Sequence, residues 1–166
     1  MQTLMRRCTF ETPIGRCAIS WHDAGLTGFE LPEAEPKAND EGDPSDAIAK
    51  LIDRVRRHLS GELQDFSDLI YDFADVPKFN AAVLRATLAV KSGETKSYGE
   101  ITRAIGHPPA VSRAVGAALG ANRWPLLIPC HRIVSANGKM TGFSGPGGIK
   151  TKLRLLALEG AQLFAE

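Results

Sequence analysis

The sequence has little cysteine and no long apolar run. Its three cysteines, Cys8, Cys17 and Cys130, are odd in number and widely spaced. That excludes a disulfide framework and fits a reducing compartment, where a free thiol persists. No apolar stretch nears the length of a membrane span. The first seven residues, which include Arg6 and Arg7, lack the apolar core of a signal peptide. There is no internal repeat and no low-complexity tract. A soluble cytoplasmic or nuclear protein is therefore expected. Net charge is also scarce: 20 Lys+Arg stand against 19 Asp+Glu, a formal +1. At face value this excludes a strongly basic nucleic-acid binder.

What is present is ordinary in bulk and uneven in detail. The 166 residues are 43% apolar and 23% charged, values of a globular protein rather than of a disordered, collagenous or coiled-coil chain. The length suits one domain, or two small ones sharing a core. Residues 1–78 hold 9 Lys+Arg and 15 Asp+Glu, a net of −6, and residues 79–166 hold 11 and 4, a net of +7. An acidic scaffold joined to a basic working part is expected. The boundary falls near residues 74–78, giving units 1–76 and 77–166.

In the first unit, Leu4 to Phe10 reads as a strand and Thr12-Pro13-Ile14-Gly15 as a turn. Cys17, Ile19 and Trp21 then alternate with polar or small residues, as in a half-buried strand. Leu26 to Leu31 completes an antiparallel meander. After a Pro- and acid-rich loop over 32–45, Ile48, Leu51, Ile52, Val55 and Leu59 form the apolar stripe of a helix capped by Ser45 or Asp46 and ended by Gly61. Leu69 to Phe73 reads as a further strand. The second unit opens at Pro77 on a helix bearing Phe79, Val83, Ala86 and Val90 that stops near Ser92-Gly93. The expected fold class is α+β: a small antiparallel sheet with a helix, then a mainly helical unit.

Residues 98–121 read as helix, turn, helix. Tyr98 to Ile105 is broken by Gly106-His107-Pro108-Pro109, and Ala110 to Ala121 follows. The second helix is nearly smooth, with Gly116, Ala117, Ala118, Gly120 and Ala121, and Arg113 is its only long charged side chain. Such a surface cannot read base edges in a major groove. It suits either close helix packing or close approach to the wall of a minor groove.

Residues 122–134 run Asn-Arg-Trp-Pro-Leu-Leu-Ile-Pro-Cys-His-Arg-Ile-Val. Leu126–Ile128 and Ile133–Val134 read as buried strands around Cys130 and His131. A thiol in apolar surroundings has a raised pKa and is inert unless something favours the thiolate. Adjacent side chains of an extended segment point apart, so His131 would act on the thiol more easily through a bridging water. Leu153, Leu155, Leu156 and Leu158 build a last helix, and Glu159 falls on its apolar side near the C-terminal end. The helix dipole disfavours an anion there. A carboxylate in that place needs a partner, and an imidazole N–H would complete a Cys–His–Glu relay. The alternatives are a buried core Cys beside a surface His and a solvated Glu.

Pro129-Cys130-His131-Arg132-Ile133-Val134 resembles the active-site segment of the O6-alkylguanine-DNA alkyltransferases. Ser97-Tyr98-Gly99-Glu100-Ile101, Arg113-Ala114-Val115-Gly116, Asn122, Gly142-Phe143-Ser144 and Leu155-Leu156 with Glu159-Gly160 are similar too. The resemblance is strong over 79–161 and looser over 1–78. It implies a ribonuclease H-like first unit and a winged helix-turn-helix-like second one. It implies irreversible, single-turnover transfer of the O6-alkyl group of guanine, and of O4-alkyl groups of thymine, to Cys130 after base flipping. By similarity His131 takes the thiol proton through water, Glu159 orients His131, Asn122 braces the preceding turn, and Tyr98 protonates the departing base. Ser97, Arg113, Ala114, Gly116, Ala117 and Arg123 would meet DNA, with Arg113 filling the gap left by the flipped nucleotide. Phe143, Ser144, Ile133 and Pro125 would line the base pocket. The implied partner is duplex DNA held through the minor groove with little sequence preference, by a monomer without a cofactor. Localisation would be cytoplasmic, at the nucleoid in a bacterium, or nuclear in a eukaryote.

The chain departs from the family in Phe143, often Tyr, and in Arg123, usually Pro. Cys8, Cys17, His22 and His58 offer zinc-ligand atoms but no close ligand pair, so no metal is expected. Three other readings remain. A non-catalytic lesion sensor would lack Cys130. A Cys–His hydrolase would need an oxyanion hole beside Pro129. A plain helix-turn-helix regulator would leave Cys130, His131 and Glu159 unexplained.

Overall fold

The structure is a computed structural model and describes residues 5–32, 43–135 and 148–161. Strands β1 (Arg6–Thr12), β2 (Gly15–His22) and β3 (Gly25–Glu30) form an antiparallel sheet in sequence order. The two-residue turn at Pro13-Ile14 sets the register Thr12↔Gly15 through Arg6↔Trp21. The alternation of β2 is imperfect, because Ala18 is buried along with Cys17, Ile19 and Trp21. Helix α1 (Asp46–Leu59) lies against the sheet, its first turn capped by Ser45 Oγ accepting from Ile48 N. The segment expected as a strand at Leu69–Phe73 makes a single bridge, Tyr71 to Leu26.

The second half is helical. Helix α2 (Lys78–Leu88) ends earlier than expected, and Val90 is buried beyond it. A short strand β4 (Lys96–Ser97) precedes α3 (Tyr98–Ala104), and α4 (Ser112–Gly120) follows a single 3-10 turn at Pro109–Val111. The predicted second helix is thus shorter at its start, where Pro108 and Pro109 withhold backbone donors. Strand β5 (Ile133–Val134) pairs with β4 in parallel, and α5 (Gly148–Leu158) closes the described fold. Leu126–Ile128, expected as strand, is instead a turn. Ile128 N bonds Trp124 O at 2.8 Å, and Leu126 carries a positive φ of 78° while fully buried. A non-glycine in that region costs about 1–3 kcal/mol, so the surrounding bonds must hold it.

Those bonds come from both halves. The larger core joins the sheet and α1 to Leu84, Trp124, Leu126, Leu127, Ile128 and Leu155. Trp124 donates from Nε1 to Leu26 O at 3.0 Å and meets Tyr71 and Phe73 edge-on. The smaller core holds Val83, Val90, Ile101, Val115, Ala118, Leu119, Cys130 and Ile133 between α2, α3 and α4. Among the described residues, no helix is long and apolar enough to cross a membrane.

Candidate active site

Cys130 belongs to the smaller core, two residues after Ile128 of the larger one. Cys130–Arg132 forms one 3-10 turn, closed by Ile133 N donating to Cys130 O, rather than the extended segment expected. The turn is braced from upstream. Asn122 Nδ2 donates to Ile128 O at 2.9 Å, and Asn122 Oδ1 accepts from Trp124 N at 2.9 Å. One amide therefore spans the loop that carries the strained Leu126. Burial pushes the Cys130 thiol pKa up, while Asn122, the charge of Lys152 and the backbone N–H groups of Cys130 and His131 oppose it. The net direction is upward. The resting sulfur is a thiol and becomes a nucleophile only if a base accepts its proton.

His131 and Glu159 are buried beside it. His131 Nε2 lies 3.0 Å from Glu159 Oε2, with both side chains fully buried. A carboxylate only accepts, so Nε2 carries the proton and Nδ1 is left with its lone pair. Among the described residues that Nδ1 has no hydrogen-bond partner. The solvated reading of Glu159 is thereby replaced. Its carboxylate takes Arg132 Nε on Oε1 at 2.8 Å and Arg132 Nη2 on Oε2 at 2.8 Å. His58 Nε2 from α1 sits at 2.9 Å from the same Oε2. Arg132 is itself held by Val90 O at 2.6 Å and Ser92 Oγ at 2.9 Å. The loop beside it comes close to α5. Gly93 has a φ of +85°, and a Cβ there would stand 3.3 Å from Glu159 O.

Burial opposes ionisation of Glu159, but the hydrogen bonds from Arg132, His131 and His58 outweigh it, and the carboxyl sits far below the usual range. Burial likewise pushes His131 down, against the pull of Glu159. Both shifts act in one direction on stability. The unfolded chain takes up a proton on His131 below about 6.5 and on Glu159 below about 4.5, before the folded chain does. Stability is thus full above 6.5 and lost as the pH falls. Thermal melts at pH 7.5 and 5 should show a lower midpoint at pH 5, by roughly 2–4 °C for each kcal/mol lost.

The remaining expected residues divide by location. Tyr98 starts α3 half-buried against the smaller core, its phenol pushed up by burial and by Cys130. Ser97 caps that helix, accepting from Glu100 N at 3.0 Å while Glu100 Oε1 accepts from Ser97 N at 3.0 Å. Arg113, Ala114 and Ala117 lie on the exposed side of α4, with Val115, Ala118 and Leu119 buried behind them. Gly116 is half-buried, and a Cβ on it would meet the Tyr98 ring at an ordinary 3.9 Å. The fold therefore does not require glycine there. Arg123 is exposed, but its carbonyl accepts from Phe29 N at 2.9 Å, tying this turn to β3. Pro125 is half-buried in the braced turn. Ile133 O accepts from the buried Lys152 Nζ at 2.8 Å. Phe143 and Ser144 lie outside the described residues. The four zinc-ligand types are separated: Cys8 and Cys17 in the sheet core, His22 on Asp72, His58 on Glu159.

Sequence reasoning missed three contributors: Arg132, Lys152 and His58. Lys152 is three and four residues before Leu155 and Leu156, on the buried face of α5. His58 is three residues after Val55 and seven after Leu51, on the α1 stripe. Helical spacing is the signal that would have marked both as interior. The site holds a buried thiol, a base with a free lone pair and a locked carboxylate. It offers little for acyl chemistry, because Cys130 N–H is spent on Ile128 O at 2.8 Å and Pro129 has no N–H.

Comparison with known proteins points the same way. Residues 78–161 match the family model described as 6-O-methylguanine DNA methyltransferase, DNA binding domain. A methylated-DNA--protein-cysteine methyltransferase of Methanothermobacter thermautotrophicus is 34% identical over 91% of this chain and 83% of its own length. One of Mycobacterium tuberculosis is 37% identical over 95% and 94%. The crystal structure of Mycobacterium tuberculosis OGT in complex with DNA superposes with a TM-score of 0.79, at 36% identity, over 93% of this chain and 92% of that one. With the family model covering half the chain and curated relatives matching nearly all of it, this chain belongs to the methylated-DNA--protein-cysteine methyltransferase family.

Proposed function

We propose that the chain repairs alkylated DNA by direct reversal, moving the methyl group of O6-methylguanine to Cys130 without a cofactor. The observation that carries this is the buried His131 imidazole, whose Nε2 is committed to Glu159 and whose Nδ1 is free to accept. The thiol proton passes to Nδ1 through a water. The S–C bond forms as the C–O6 bond breaks in line, and the electron pair stays on the guanine, which takes up a proton from Tyr98. A soft thiolate suits attack on an sp3 carbon, and a departing base needs an acid. The product is a thioether with no acyl carbon for water to attack, so each chain acts once. O4-methylthymine fits the same chemistry.

The target carbon is out of reach in a stacked duplex, so the base must leave the helix, at a cost of a few kcal/mol. The smooth exposed side of α4, with Arg113, Ala114 and Ala117, favours close approach to a minor-groove wall. Few basic groups face that way, which suits binding with little sequence preference by a monomer. The 1–76 and 77–166 units then divide the work into scaffold and DNA-handling part. Arg113→Ala is expected to slow repair of duplex DNA at least tenfold, about 1.4 kcal/mol, and to leave reaction with the free modified base unchanged. Equal losses on both substrates would reject the finger role. The function itself is tested with excess duplex carrying one O6-methylguanine. Demethylation should stop at one lesion per chain, and continued turnover or no reaction would reject the proposal.

A further inference from the structure

His58 belongs to the first half of the chain, yet its ring is fully buried against Glu159, the residue that follows the last helix. Both ring nitrogens are assigned by their partners. Nδ1 accepts from Gln64 N at 3.0 Å, so Nδ1 carries no proton. The proton is then on Nε2, which donates to Glu159 Oε2 at 2.9 Å. That oxygen is the one that receives His131 Nε2 at 3.0 Å and Arg132 Nη2 at 2.8 Å. Three donors therefore share one oxygen.

We infer that His58 is a positioning residue of the acceptor site: by holding Glu159 Oε2, it sets how strongly His131 attracts the thiol proton. This rests on the functional reading only for the identity of the substrate. A carboxylate oxygen that already accepts from His58 and Arg132 has less electron density to offer His131 and stabilises the imidazolium less. The same bond fixes the carboxylate, so His131 stays in the tautomer that leaves Nδ1 free. Among the described residues, the charged and titratable groups facing His131 are Glu159 just past α5, His58 from α1 and Arg132 beside it. Lys152 acts on the neighbouring Cys130. A histidine serving only to fill the core would need a partner for its N–H, but would leave the basicity of His131 alone.

Two conservative variants separate these roles. Gln places an amide N–H where Nε2 stood, so His58→Gln keeps the donor to Glu159. Asn places its carbonyl where Nδ1 stood, so His58→Asn keeps the acceptor for Gln64 N and loses the donor. The readout is the titration of the His131 ring by NMR, with the pH profile of methyl transfer beside it. His58→Asn should raise the His131 midpoint by about one pH unit, and the acid limb of the rate should move with it, a tenfold loss on that limb. His58→Gln should stay near wild type in both. Equal titrations of His131 in wild type and His58→Asn would overturn the inference, as would the same shift in both variants. Should neither variant fold, the wild-type 15N spectrum decides: a proton on His58 Nδ1 rather than Nε2 overturns it. A wild-type chain that accepts no methyl group would defeat the functional reading and leave the titration result standing.

Discussion

Glu159→Leu is expected to cost about 3–5 kcal/mol of stability and to abolish methyl transfer. The substitution removes one carboxylate and strands three donors. Arg132 would keep Val90 O and Ser92 Oγ but carry a buried charge without a counterion. His58 and His131 would each hold an N–H facing leucine. Removing one partner of a buried pair costs more than the pair is worth, because the other partner stays charged in a low dielectric. Urea titration should show a lower midpoint at an unchanged slope. A second replacement, Arg132→Met in the Glu159→Leu background, should recover part of the loss, since an apolar pair of similar volume avoids the desolvation penalty. A loss under about 1 kcal/mol in the single variant would mean that the carboxylate is solvated and the relay absent.

Cys130→Ser removes the acceptor sulfur itself and has the smaller effect on stability. The hydroxyl is a harder nucleophile with a far higher pKa, so transfer should fall by about 10^4-fold or more. The fold should survive, since Asn122 still braces Ile128 O and Trp124 N. The paired control is Cys8→Ala with Cys17→Ala, which should leave the rate of transfer unchanged. Both thiols sit in the sheet core, and burial pushes Cys17 up to about 11. Loss of transfer in that control, or its retention in Cys130→Ser, would move the acceptor elsewhere.

Sequence patterns made much of this legible, for reasons that differ by element. The α1 stripe and the β1–β2–β3 meander follow from apolar spacing and turn residues, and both stand within a residue or two of where they were expected. Glu159 could be marked because a carboxylate on an apolar helix face requires a partner. The turn at Leu126–Ile128 was misread as strand because an apolar run of that length does not distinguish the two. What bends it is a side-chain amide four residues upstream of Leu126, a contact that periodicity does not encode. His58 was weighed only as a zinc-ligand type and set aside, without its place on the stripe being considered. Its partner lies 101 residues away in sequence, and only the shared core of the two halves brings them together.

The near-zero net charge also changes meaning. It conceals an acidic half and a basic half. Two of the positive charges in the basic half, Arg132 and Lys152, are buried near Cys130 rather than offered to a partner. The outward charge of that half is therefore smaller than its sequence total.

The central claim is that one thiol among three is activated by the buried relay. It is tested most directly by reacting the chain with duplex DNA bearing isotopically labelled O6-methylguanine, digesting the protein and weighing its cysteine peptides. One labelled methyl in place of one proton is expected on the peptide containing Cys130, and none on those containing Cys8 or Cys17. Label on either of the latter, or on no cysteine, would contradict it.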